Sequence, residues 1–283
     1  MELQFIREFR RRCGSVFIGE LRENLSWCYV FVKFSPFEAD NTAHQEAENE
    51  CIVLLSLQRI AWVPRVRFLQ RRERGLYLGS ELLMGGDLMM HLETMGKCEA
   101  QAARCVLSQL LSSIDSMHKL GWIHRKIRPE NIVFDDSGKL VLVNFTKSHR
   151  IGVRADCVGC EVDYLAPEVL QDETYSESVD VWSIGIILYE MMCGGPPFSD
   201  EERDRNKTIY RIINHDKYLW FPAGHDQIPD SAVDFIKYVL QPRHKRPSVS
   251  ELKKHPFLAP VDWDNLQPFQ PNLKSRLTSI FSG

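Results

Sequence analysis

Apolar and polar positions along this chain run mostly at a strand period before about residue 80 and mostly at a helical period after it. Before it they alternate: Val16-Phe17-Ile18 and Tyr29-Val30-Phe31-Val32 flank a polar turn at Arg22-Glu23-Asn24, the period-two pattern of half-buried strands. Two more strands are predicted within 62–69 and 75–78, around a charged turn at 70–74, and a helix over 43–57 lies between the two strand pairs. After residue 80 the period lengthens. Ala103, Val106, Leu107, Leu110, Ile114 and Met117 recur at three-and-four spacing and stop at Gly121, which predicts an amphipathic helix over 99–119. A short hairpin is expected about Asp136-Ser137-Gly138, between strands at 132–134 and 140–143. Residues 180–192 are apolar nearly all round, too short and too acidic at the ends to cross a membrane, so they read as a central buried helix.

The 283 residues, 44% hydrophobic and 26% charged, suffice for one two-lobed, enzyme-sized unit. A net charge of −3 gives no reason to expect nucleic acid or an anionic membrane surface as partner, and the arginines at 10–12 and 71–74 read as solvated faces. Eight cysteines without a paired framework suit reduced thiols in a cytosolic protein. The one close pair, Cys157 and Cys160, has no second pair at zinc-site spacing. Met1 to Gly14 lacks the apolar segment of a signal peptide and no apolar run reaches spanning length, so the expectation is a soluble, intracellular protein with no membrane insertion.

Candidate chemistry gathers at residues 121–131, Gly-Trp-Ile-His-Arg-Lys-Ile-Arg-Pro-Glu-Asn. His124, Arg125 and Asn131 stand at the spacing of the H-R-D-x-x-x-x-N loop, with Lys126 where that loop has its Asp. The strand at 140–143 then runs into Asn144-Phe145-Thr146, at the place of D-F-G. Tyr164-Leu-Ala-Pro-Glu168, Asp180-Val-Trp182-Ser183-Ile-Gly185, Gly194-Gly-Pro-Pro-Phe198 and Arg246-Pro247 follow in order. On these motifs the whole chain resembles a protein-kinase domain of the AGC group. Trp62-Val-Pro64, Thr208-Ile-Tyr-Arg-Ile-Ile213, Trp220-Phe-Pro222 and Pro268-Phe-Gln-Pro-Asn-Leu-Lys274 are most similar to the Rho-kinase, myotonic-dystrophy and citron subfamily, within it to the citron branch.

The resemblance implies an α+β, bilobal protein-kinase fold: a kinase-like domain over 1–258, with a β-rich lobe to about 80, a hinge at 81–86 and a mainly helical lobe over 87–258, and the start of an AGC-type extension over 259–283. It places a nucleotide site at Gly14, Phe31, Lys33, Glu50, Glu81, Leu83, Asp87, Asn131 and Asn144. Lys33 would pair with Glu50, and Asp87 would meet a ribose. Of the glycine loop only Gly14 remains in Arg12-Cys-Gly-Ser-Val-Phe17, and Phe31 replaces the small residue that roofs the adenine pocket. His124, Phe145, Glu161, Glu168, Asp180 and Arg246 would be structural, with Asp180 anchoring the loop and Arg246 paired with Glu168. Val66, Leu54, Phe145 and His124 would form a stack through both lobes. Glu161 falls opposite Lys126, so a Lys126–Glu161 pair, shared with Arg128, is expected to close the cleft floor.

No catalytic residue set is intact, and with Lys126 and Asn144 in place of two carboxylates the site is three charges more positive, +2 at 126 and +1 at 144. A like charge a few ångströms from a metal costs on the order of 4 kcal/mol at an effective dielectric near 20, and magnesium wants oxygen ligands from such acids. Between His149 and Glu161 there is no Ser or Thr to phosphorylate. The expected function is therefore an inactive kinase-like scaffold that binds proteins, by resemblance in Rho-linked cytokinesis, cytoplasmic and at the cleavage furrow or midbody. No metal or cofactor is expected beyond weak, magnesium-independent ATP. The alternatives are an active Ser/Thr protein kinase, for which Asp135, Asp136 or Asp156 would have to stand in, and a metal-independent nucleotide switch.

Overall fold

A computed structural model describes residues 2–11, 14–23, 26–37, 41–153, 161–171, 176–222 and 228–270. Arg12 and Cys13 of the glycine loop, Asn24, Asp156, Cys157, Cys160 and the extension beyond residue 270 lie outside them.

The chain opens with three strands, β1 (Glu2–Arg11), β2 (Gly14–Glu23) and β3 (Ser26–Pro36), then the helix α1 (Asn41–Ser56), then β4 (Val66–Arg72) and β5 (Gly75–Glu81). They form one antiparallel sheet in the order β1-β2-β3-β5-β4. Alternation explains its two faces. Val30 and Val32 bury on one with Leu21 and Phe68, while Phe31 and Lys33 point to the other. Two boundaries differ from the pattern. Trp62-Val63-Pro64 is a turn rather than a strand start, since Pro64 has no N–H to give to a sheet ladder. The charged 70–74 segment is mostly strand, because Arg71 and Arg72 pair with Leu76 and Gly75 and leave only residues 73–74 to turn.

After the sheet come α2 (Leu88–Met95), α3 (Ala100–Lys119), the short strands β6 (Trp122–Ile123), β7 (Ile132–Phe134), β8 (Leu140–Leu142) and β9 (His149–Arg150), and the helices α4 (Pro167–Leu170), α5 (Ser178–Cys193), α6 (Arg205–Ile213), α7 (His215–Tyr218), α8 (Asp230–Val239) and α9 (Val249–Leu252). The apolar positions read from 99–119 are all buried on α3, and α5 is buried from Val179 to Met192. This is the α+β, two-lobed arrangement: a sheet lobe and a helical lobe joined through 82–87. No described helix is long and apolar enough to cross a membrane.

One apolar core runs through α3, α5 and α8 and also takes in Ala47, Cys51, Leu54 and Leu57 of the α1 region. The sheet's outer face keeps a separate small cluster. Leu76 and Leu78 of β5 belong to the same core, so α1 and the inner face of the sheet share it with the helical lobe.

Candidate functional site

Packing of α3, β6 and α5 sets the loop 124–131. Asp180, in the first turn of α5 and fully buried, accepts from the backbone N–H of His124 (2.9 Å) and of Arg125 (2.8 Å), and meets His118 Nε2 at 2.8 Å. Burial alone would raise its pKa, but the hydrogen bond and charge of His118 outweigh it and the carboxyl titrates below its ordinary range. Arg125 holds a left-handed φ of 63°, unusual for a side chain of that size; the two N–H bonds to one carboxylate impose it. His124 is wholly buried, which lowers its pKa to about 4. Its Nδ1 accepts from Lys126 N–H at 3.2 Å, so the neutral ring donates from Nε2 to Val143 O at 3.2 Å. The ring also stands edge-on to Phe145, centroids 5.1 Å apart.

At the loop's mouth a hydrogen-bonded circuit closes. Lys126 Nζ donates to Thr146 Oγ1 (3.3 Å), Thr146 Oγ1 donates to Asn144 Oδ1 (2.9 Å), Asn144 Nδ2 donates to Asn131 Oδ1 (3.1 Å), and Asn131 Nδ2 donates back to the Lys126 carbonyl (2.8 Å). Asn144 adopts φ 69°, a left-handed conformation that Asn tolerates better than most residues. Every side-chain oxygen in this circuit already accepts a hydrogen bond, and the one charged group is an ammonium. Such a donor set does not fit magnesium, which demands an octahedron of oxygens with carboxylates among them. Among the described residues no three His, Cys, Asp or Glu side chains converge to hold a metal ion.

The expected Lys126–Glu161 pair is replaced. Glu161 pairs with Arg128 Nη1, whose Nε lies 3.4 Å from Glu130, while Lys126 turns toward Thr146. One residue separates 126 from 128, and the loop's course points their two side chains to different partners, which spacing alone could not tell.

Above the circuit, β3 and α1 bring Lys33 and Glu50 into an ion pair, with Glu50 buried. Phe31, Lys33, Glu50, Glu81, Leu83, Asp87, Asn131 and Asn144 all line one cavity of about 290 Å³ between the lobes, at the small end of the range for ligand sites. Gly14, the remaining predicted site residue, opens β2. The two hinge acids also have backbone work: Asp87 caps α2 by accepting from Met90 N–H (2.8 Å), and Glu81 Oε1 accepts from Arg65 N–H (2.9 Å). Gly85 is required where it stands, since a Cβ there would come within 2.3 Å of Asp135 O. In the helical lobe Arg246 grips Glu168 with both terminal nitrogens, at 2.6 and 3.1 Å, and donates to Ser178 O at 2.8 Å.

Sequence reasoning passed over Thr146, which closes the circuit; the Asn144-Phe145-Thr146 triplet showed a hydroxyl where a glycine belongs, the one signal available. It also passed over Glu46, Asn49 and Lys147, whose roles depend on how α1 meets the segment after β8.

The protein kinase domain model matches residues 13–258. This chain belongs to that family. Its relatives include Serine/threonine-protein kinase sck2 of Schizosaccharomyces pombe (32% identical, over 83% of this chain and 38% of the relative), human Myotonin-protein kinase (33%, 75% and 37%) and rat Citron rho-interacting kinase (33%, 78% and 11%). The chain thus spans between about a tenth and two fifths of the length of these relatives. Kinase domains of this family transfer a phosphoryl group with metal held by an Asp and an Asn and with an Asp accepting the hydroxyl proton; in this chain Asn131 keeps one of those three places.

Proposed function

We propose that this kinase domain does not transfer phosphate and works as a protein-binding scaffold. The observation that carries the reading is the Lys126–Thr146–Asn144–Asn131 circuit. It supplies no base at the position where a substrate hydroxyl would give up its proton, and it puts an ammonium near the place a divalent cation would need. Positioning and electrostatic stabilisation make up nearly all of catalysis in phosphoryl transfer, so their reversal in sign removes the reaction while leaving the fold. Phe31 at the cavity wall takes up space an adenine ring would need, although the Lys33–Glu50 pair is the one an active kinase keeps.

The likeness to the citron branch makes a Rho-type GTPase, and cytokinetic proteins more widely, the first binding partners to test. Purified protein incubated with labelled ATP, magnesium and a generic basic substrate should transfer no label. Thermal denaturation with ATP should show no magnesium-dependent shift. Label transfer that Lys33→Met abolishes would overturn the reading in favour of an active kinase, and a shift that persists with chelator would favour a metal-independent nucleotide switch.

A further inference from the structure

We infer that α1 is clamped to the helical lobe by a fastening of its own that needs no ligand in the cleft, so that the two lobes are held closed as one body. One side of α1 carries three polar ties at positions 46, 49 and 50, spaced i, i+3, i+4 and therefore on one face. Glu50 reaches back to Lys33 of the sheet. Glu46 and Asn49 reach the other way, to the segment 145–148 that follows β8. Asn49 Nδ2 lies within hydrogen-bonding distance of three backbone carbonyls there, those of Phe145 (3.3 Å), Thr146 (3.1 Å) and Ser148 (2.9 Å). Glu46 Oε1 pairs with Lys147 Nζ at 2.7 Å, with both side chains less than a third exposed.

The segment these residues hold is rigid in its own right. Phe145 and Ser148 are buried, and Ser148 Oγ donates to His124 O at 3.2 Å, which ties the clamp to the loop anchored by Asp180. The end of α1 is fixed as well: Leu54 and Leu57 lie in the core that both lobes share, and Trp62 O accepts from Leu142 N–H of β8 at 2.8 Å. An unpaired buried amide or charge is costly, and pulling α1 outward would expose or strand several such groups at once. No nucleotide, metal or added phosphate takes part in any of these contacts. The inference stands whether or not the domain transfers phosphate.

Hydrogen–deuterium exchange on the full chain tests it. In the unliganded protein the amides of residues 44–56 should be protected, and addition of ATP with magnesium should leave their rates unchanged. Asn49→Ala and Glu46→Lys should each speed that exchange tenfold or more, with residues 181–192 of α5 unaffected as a check on folding. The reversal Glu46→Lys with Lys147→Glu should restore most of the protection that Glu46→Lys loses. Fast exchange of α1 in the unliganded protein, or protection that survives both Asn49→Ala and Glu46→Lys, would overturn the inference. Should Glu46→Lys not fold, Lys147→Met read in the same way replaces it.

Discussion

Single residues carry the argument about chemistry. If Lys126 and Asn144 are what keep a metal out, putting back both acids should let one in. The double change Lys126→Asp with Asn144→Asp is expected to give a magnesium-dependent rise in melting temperature with ATP. Saturation a hundredfold above the dissociation constant would correspond to about 2.7 kcal/mol, several degrees for a domain of this size. Lys126→Asp alone should give much less, because Asn144 would still present a neutral amide. Glu190 offers a pH test. Its burial on α5, with Glu130 and Asp163 nearby, pushes its pKa up from 4.5 to about 7, and the Tyr164 hydroxyl that donates to it at 2.9 Å offsets only part of that. The folded state therefore binds more protons than the unfolded one between about pH 4.5 and 7, so this group's contribution falls as pH rises through that window. Glu190→Gln should remove that fall. Urea titrations at pH 5 and pH 8 should show the wild type losing on the order of 2–3 kcal/mol more than the variant. Equal losses would mean that Glu190 titrates normally.

At the scale of elements, the helical lobe depends on ties between distant pieces of chain. Arg246→Met leaves Glu168 buried without its partner and should cost about 3–5 kcal/mol in a denaturant titration, more than a surface ion pair could. The described end of the chain is strapped down in a different way. Phe269 is buried against Phe134 and His91, with ring centroids 4.7 and 5.3 Å away, and its N–H donates to Gly138 O at 2.8 Å. Gly138 has φ 83°, and a Cβ there would sit 2.0 Å from Phe269 O. Gly138→Ala is therefore expected to lift residues 267–270 from the β7–β8 turn and to cost about 1–3 kcal/mol. Limited proteolysis should then cut within 259–270 in the variant and not in the wild type. The pattern of apolar positions identified α3, α5 and the β7–β8 hairpin nearly to the residue, because each is a local repeat whose period the buried face imposes. It set β4 a few residues early, at 62–69 instead of 66–72, where a proline and a run of arginines obscured the ends of the strand.

Over the whole molecule, the continuous core beneath α1, α3 and α5 makes the two lobes a single unit. Leu57 is fully buried in that core at the end of α1. Leu57→Ala should cost about 2–5 kcal/mol and lower the stability of the entire domain in one transition, not of the sheet lobe alone. Separate melting of the sheet lobe in this variant would show that the lobes are coupled only loosely. Local periodicity sufficed for the order of the main elements, and the motifs for the resemblance that implied the class of fold and for the two substitutions at 126 and 144, since each is a property of neighbours in sequence. Tertiary structure alone decided that Glu161 pairs with Arg128, that Thr146 closes a circuit with Lys126, Asn144 and Asn131, and that Glu46 and Asn49 grip the segment after β8. The physical reason is directional: spacing along a chain says which residues reach a site, whereas hydrogen bonds and ion pairs depend on side-chain orientation over a few ångströms, and only the packed backbone sets that.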